Sequence, residues 1–99
     1  MKHESKEKIN ENIEKLILKV CNYNDISRRE LMSKSRLREI AESRQIIMYI
    51  LRRVYRLSFQ KIADIFGKTH ATVLYSVGKI KDIMSYDKDF KLMVKDFAA

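Results

Sequence analysis

A helix-turn-helix pattern is readable in residues 58–80, SFQKIADIFGKTHATVLYSVGKI. Ser58 is a suitable N-cap for a short helix with apolar side chains at helical spacing. Gly67 follows that helix directly, and a glycine in the left-handed conformation commonly ends a helix. Thr69 or the residue before it can cap a second helix. The sequence therefore predicts two helices joined by a tight turn over residues 58–84.

The second helix has two faces when its residues are placed at about 100° intervals. The predicted buried stripe consists of Val73, Leu74, Val77, Ile80 and Met84. The predicted outward face consists of Ala71, Thr72, Tyr75 and Lys79. A helix with small and polar residues at its exposed tip fits the major groove of DNA. An ordinary helical hairpin has the same spacing, so the pattern alone leaves both interpretations open.

Helical patterns also precede and follow this motif. Apolar residues at i, i+4, i+7 and i+8 predict an amphipathic helix over about 5–22. Ser27 and Glu30 have the spacing of a capping box at the start of a short second helix. Apolar residues on several faces predict a mostly buried central helix over 39–57, and a last helix is expected over 87–97.

Composition favours an all-α protein. The 99 residues include no Pro and only two Gly, so turn and strand signals are few. We expect a compact bundle of about six helices forming a single domain over residues 1–99. No segment is apolar enough for a membrane span, and the charged N-terminus is unlike a signal peptide. Cys21 has no partner for an internal disulfide, which suits the cytoplasm.

Positive charge is concentrated in the middle of the chain. Residues 34–81 contain eleven Lys and Arg but only three Asp and Glu, which accounts for the whole net charge of +8. This is typical of a protein that binds a polyanion such as nucleic acid. The alternative is a solvated surface that keeps the protein soluble. Part of this charge lies in a basic connector over 33–38.

Three further arginines lie at the end of the predicted central helix: Arg52, Arg53 and Arg56. Positive side chains in the last turn of a helix interact favourably with its dipole. The sequence alone assigns these arginines no other role.

Two stretches resemble the C-terminal DNA-binding domain of the bacterial replication initiator DnaA. They run from Ser43 to Ala63 and from Phe66 to Ile80, and the resemblance extends over about residues 12–97. The family signature reads approximately Asp-His-Thr-Thr-Val, followed by a helix that ends in Lys-Ile. The matching residues here are His70, Thr72, Val73, Lys79 and Ile80. The resemblance implies a Trp-repressor-like helical fold and a double-stranded DNA partner at the nucleoid.

The resemblance also implies roles for individual residues. Arg36 corresponds to an arginine that the family inserts into the minor groove, which would favour A·T pairs. His70 corresponds to a base-contacting His, and Thr72 to a phosphate-contacting Thr. Basic or polar residues beside Arg36 would lie near phosphates. The complete candidate interface is Lys34, Arg36, Arg38, Arg44, Gln45, Lys68, Thr69, His70, Ala71, Thr72, Tyr75 and Lys79.

Two positions within the five-residue signature depart from the family pattern. Thr69 replaces the signature Asp, and Ala71 replaces a base-reading Thr. Asp accepts a hydrogen bond from cytosine N4, whereas Ala can contact only a thymine methyl group. These departures leave open an alternative, a protein-interaction module that retains the fold without specific DNA reading.

The sequence indicates no enzymatic, metal or cofactor site. Gly67-Lys68-Thr69 is similar to the end of a phosphate-binding loop, but Ile62 occupies the position of the required first glycine. His3 and His70 are the only histidines and are far apart in the sequence, so a zinc site or a Cys–His dyad lacks its usual spacing. We expect a non-enzymatic protein without a small-molecule substrate. The sequence does not decide whether it also binds a protein partner.

Overall fold

The computed structural model describes residues 6–99 and contains six helices over that range. They are α1 (Lys6–Asn24), α2 (Arg28–Leu31), α3 (Arg38–Arg53), α4 (Phe59–Phe66), α5 (His70–Tyr86) and α6 (Lys88–Ala98). This confirms the predicted all-α fold of about six helices. Ser5, the predicted start of the first helix, and His3 lie outside the described residues.

The helix caps that the sequence predicts are present in the structure. Ser27 Oγ accepts from Glu30 N and Glu30 Oε1 accepts from Ser27 N, so the capping box is complete. The hydroxyl group of Ser58 accepts from Lys61 N and that of Thr69 from Thr72 N, so these side chains cap α4 and α5. Gly67 ends α4 with φ 63°, a left-handed conformation that favours glycine. These contacts confirm the predicted helix-turn-helix, and its second helix extends to Tyr86, two residues beyond the predicted end.

The core is built around α3, which contacts each of the other five helices. Ile46, Ile47, Met48, Ile50 and Leu51 are fully buried, as expected of a central helix with apolar groups on several faces. Residues from all six helices contribute to the same hydrophobic cluster. Over residues 6–99, no helix combines the length and apolar composition needed to cross a membrane.

The central helix is shorter than predicted because α3 ends at Arg53, not Leu57. The apolar pattern continues beyond the helix because Tyr55 and Leu57 pack against the core from the loop that follows. Arg52 and Arg53 occupy the last turn as predicted. Arg56 lies outside it with φ 61°, so interaction with the α3 dipole does not explain its charge.

The first helix is longer than predicted, because it continues through the polar residues 22–24. Asn24 Nδ2 donates to Ser43 Oγ at 2.7 Å, so a contact with α3 supports the two added residues. Asp25 then leaves the helix with φ 53°.

The predicted buried stripe of α5 differs from the structure at Leu74 and Ser76, and Met84 is only partly buried. Leu74 is 53% exposed, whereas Ser76 is only 2% exposed. Ser76 Oγ donates to Thr72 O at 2.8 Å, so the hydroxyl group has a partner within its own helix and can be buried. The observed buried residues are Val73, Ser76, Val77 and Ile80. Their i, i+3, i+4, i+7 spacing is that of a regular helix face.

Candidate nucleic-acid interface

The basic connector before α3 is held in place by Arg44. This side chain is only 8% exposed, and its Nε donates to Leu31 O at 2.9 Å. Its Nη2 donates to Ser33 O at 2.8 Å and to Ser35 O at 3.4 Å. One guanidinium therefore satisfies three backbone carbonyl groups and fixes the path of the connector.

Hydroxyl groups within the connector add to this order. Ser33 Oγ accepts from Ser35 N at 3.1 Å, and Ser35 Oγ accepts from Leu37 N at 3.2 Å. The backbone on both sides of Arg36 is thus hydrogen-bonded, while the Arg36 side chain is exposed. The connector presents its arginine to solvent from an ordered backbone.

A groove of about 730 Å³ lies between this connector and α5. Its lining includes seven of the predicted interface residues, namely Lys34, Arg36, Arg44, Gln45, Lys68, Thr72 and Tyr75. The other lining residues are Ser35, Ala41, Met48 and Ser76. Four of these residues are basic and none is acidic, so the lining of this groove carries a net positive charge. The structure therefore brings Arg36 and Tyr75 to one surface.

A second groove of about 560 Å³ adjoins the first and shares Arg36, Ala41 and Gln45 with it. Its lining adds two further predicted residues, Arg38 and Lys79. The carboxylates of Glu42 and Asp82 also line it, so the charges here are mixed. The surface is thus most positive near the connector and the first turns of α5.

Three predicted residues, Thr69, His70 and Ala71, line neither groove but form the exposed start of α5. Thr69 Oγ1 accepts from Thr72 N at 3.1 Å and lies 2.9 Å from Thr72 Oγ1. The Thr69 hydroxyl is consequently committed to capping the helix. Ala71 has only a methyl side chain, so it fills little space at the exposed start of α5.

The imidazole ring of His70 packs on α4. It meets the Phe59 ring edge to face, with the centroids 5.3 Å apart and an interplanar angle of 85°. Aromatic pairs in this geometry are favourable beyond the area they bury. The contact joins the two helices of the helix-turn-helix and restricts the orientation of His70.

The concentration of like charge affects Lys68. Burial lowers the pKa of this lysine, and the nearby positive charges of Arg44 and Lys34 lower it further. Burial also lowers the pKa of Arg44. An anion placed in the groove would relieve the repulsion among these three side chains.

Sequence reasoning missed some of the lining residues although a signal was present. Ala41 and Met48 lie on the same face of α3 as the predicted Gln45, at i, i+4, i+7 spacing, and Ser76 follows Thr72 by one turn. Gln45 lies where the two grooves meet, and its Oε1 is buried without a hydrogen-bond partner within residues 6–99. Within the same residues no group of three His, Cys, Asp or Glu side chains could hold a metal ion.

The chain is similar in sequence to known proteins. The family model described as bacterial dnaA protein helix-turn-helix matches residues 13–80. That range includes the connector, α3, α4 and the first part of α5, so it contains all of the predicted interface residues.

Individual relatives have the name chromosomal replication initiator protein DnaA. The relative from Pseudothermotoga lettingae is 39% identical over 70 residues, which is 71% of this chain and 16% of the relative. The relative from Nostoc sp. is 43% identical over 83 residues, covering 83% of this chain and 18% of the relative. The relative from Thermoanaerobacter sp. is 35% identical over 92 residues, covering 88% and 21%.

These similarities confirm the resemblance predicted from the motif. The chain spans only about a fifth or less of the length of these relatives. Because the family model matches more than half of the chain, and does so over the connector and the helix-turn-helix, this chain belongs to the bacterial DnaA helix-turn-helix family.

Proposed function

We propose that this chain is a non-enzymatic domain, extending over residues 1–99, that binds double-stranded DNA. The observation that carries the proposal is the positively charged groove shared by Arg36 of the connector and Thr72 and Tyr75 of α5. Membership of the DnaA helix-turn-helix family supports the same function. A protein bound to chromosomal DNA in this way would be found in the cytoplasm, at the nucleoid.

Arg36 is proposed to enter the minor groove. An arginine there responds to groove width and to negative potential, both of which favour A·T-rich sequence. The ordered connector supports this role, because an exposed arginine on a fixed backbone loses less conformational freedom on binding. Lys34 and Arg38, which flank Arg36 and are exposed, would contact phosphates on either side.

The first turn of α5 is proposed to enter the adjacent major groove. His70 and Ala71 are exposed at this tip, and Thr72 and Tyr75 follow on the side that faces the connector. A small residue such as Ala71 allows close approach and can contact a thymine methyl group. Thr69, whose hydroxyl caps the helix, would contribute less to base reading than an Asp at the same position.

The role of Arg44 differs from that of the other basic residues. Its Nε and Nη2 are already used by backbone carbonyl groups, so its main proposed contribution is to position the connector. Its charge adds to the positive potential of the groove.

The proposal is tested by selecting duplexes from a random DNA pool and measuring their affinity over a range of salt concentrations. With about six phosphate contacts, log K should fall with log salt at a slope of about −5. Arg36→Ala should weaken binding by about 1–3 kcal/mol and relax base preference at one end of the selected site. Lys91→Ala, on the exposed face of α6, is the control and should leave that preference unchanged.

A protein-interaction module is the second candidate function. The exposed side chains of Leu74 and Tyr75 on α5 favour it, because neighbouring apolar surface is typical of protein contacts. It predicts weak DNA binding with no selected sequence. This function would be favoured over the first by two results together. The selection would yield no enriched sequence, and the DNA-binding curve of Arg36→Ala would be the same as that of the unaltered chain.

A further inference from the structure

A cluster of three arginines lies outside the grooves described above. Arg52, Arg53 and Arg56 line a separate notch of about 300 Å³ at the end of α3. Arg53 and Arg56 are exposed, and within residues 6–99 no carboxylate forms an ion pair with any of the three. The helix dipole accounts for positive charge in the last turn of α3 but not for Arg56, which lies beyond the helix.

Arg52 is held against the helix-turn-helix. Its Nη1 donates to Leu57 O at 3.2 Å, and its Cζ lies 4.3 Å from the centroid of the Phe59 ring. The Phe59 ring in turn contacts His70, 5.3 Å away. The two distances place the Arg52 guanidinium within about 10 Å of the centre of the His70 ring.

This upper limit is within the dimensions of the DNA major groove. The major groove is about 12 Å wide and is bordered by phosphates on both sides. If the tip of α5 lies in that groove, a guanidinium no more than about 10 Å from the His70 ring is close enough to reach a phosphate at the groove edge. In helix-turn-helix proteins the first helix crosses the DNA backbone. The arginine cluster adjoins the N-terminus of that helix, α4, at Phe59.

We propose that Arg53 and Arg56, beside the fixed Arg52, bind phosphates of the same duplex at the edge of the major groove, away from the contacts made by Arg36. The inference rests on the proposed DNA binding and extends its footprint. The guanidinium group of arginine is suited to phosphate oxygens because it can donate two parallel hydrogen bonds to them. The duplex would then be held at two separate places, the connector groove and the end of α3.

The test uses the double variant Arg53→Gln/Arg56→Gln, which leaves Arg52 and its ring contact in place. The probe is the duplex selected from the random pool. Loss of two phosphate contacts should reduce the magnitude of the salt slope by about 2, without changing the base preference. The matched control is Lys91→Gln/Lys95→Gln, which removes the same charge from the exposed face of α6. A thermal unfolding curve for each variant verifies that it is folded.

The outcomes separate this inference from the proposed function. A reduced slope for the arginine variant alone supports the inference. An unchanged slope, or an equal reduction in both variants, overturns it while leaving DNA binding by the connector groove intact. Failure of the unaltered chain to bind any selected duplex overturns the proposed function and this inference together.

Discussion

The ring of His70, the first residue of α5, packs edge to face against Phe59, the first residue of α4. The contact lies across the turn and links the starts of the two helices. The Arg52 guanidinium also lies over the Phe59 ring, with its Cζ 4.3 Å from the ring centroid. One aromatic side chain therefore connects the end of α3 with the exposed tip of α5.

A double-mutant cycle on this pair measures its contribution. Phe59→Leu and His70→Ala should each lower the free energy of unfolding, and the coupling between them should be about 0.5–1.5 kcal/mol. Urea unfolding of the four proteins gives this value. Phe59→Leu should have the larger single effect, because it also removes the cation–π contact with Arg52. A coupling of zero would show that the rings do not stabilise each other.

The two glycines should respond to alanine in opposite ways. An added Cβ would meet no neighbour within 4 Å at either position, so backbone conformation decides the outcome. Gly67→Ala should destabilise by about 1–2 kcal/mol because φ is +63°. Gly78→Ala, inside α5, should stabilise by about 1 kcal/mol because alanine is the better helix former. Chemical unfolding of both variants tests this prediction. A change of the same sign in the free energy of unfolding of both variants would contradict it.

Local signals in the sequence were sufficient for most of the fold. The spacing of Ser27 and Glu30, and the position of Gly67 after Phe66, predict helix ends from contacts between near neighbours. Sequence patterns predict helix lengths less well where tertiary contacts decide the helix end. The end of α1 depends on the Asn24–Ser43 hydrogen bond, which joins residues distant in sequence.

Side-chain chemistry within a helix explains the remaining error. Hydrophobicity favours Leu74 over Ser76 as a buried residue, but the Ser76 hydroxyl is satisfied by Thr72 O and costs little to bury. The resemblance predicts the candidate interface more completely than charge does. Charge alone does not distinguish Arg44, which is buried against carbonyl groups, from Arg36, which is exposed beside it.

Arg44→Met should destabilise the protein by about 2–3 kcal/mol. The substitution leaves the carbonyl groups of Leu31 and Ser33 without their charged donor in a buried setting. Urea unfolding measures the change. Arg38→Met, which alters an exposed arginine of the same surface, is the control and should change stability by less than about 0.5 kcal/mol. Equal effects of the two substitutions would show that Arg44 does not hold the connector.

Lys68 should make stability depend on alkaline pH. Because its pKa is lowered in the folded state, the unfolded chain binds more protons between that lowered pKa and the ordinary lysine value. Stability contributed by this group therefore rises with pH through that interval. Lys68→Gln should be more stable than the original chain at neutral pH, and its advantage should shrink as pH rises. Unfolding at a series of pH values tests this against Lys61→Gln, an exposed lysine of α4. If Lys68→Gln is more stable than the unaltered chain by the same amount at every pH, the proposed effect of the lowered Lys68 pKa is wrong.

The central claim is that the connector and the tip of α5 contact one duplex together. Its most direct test is an NMR titration of the nitrogen-labelled chain with a duplex selected from the random pool. We expect the amide signals of residues 34–38 and 69–75 to shift in parallel, with a common saturation point, while those of α6 change little. Shifts confined to one of the two segments, or centred on α6, would contradict the claim.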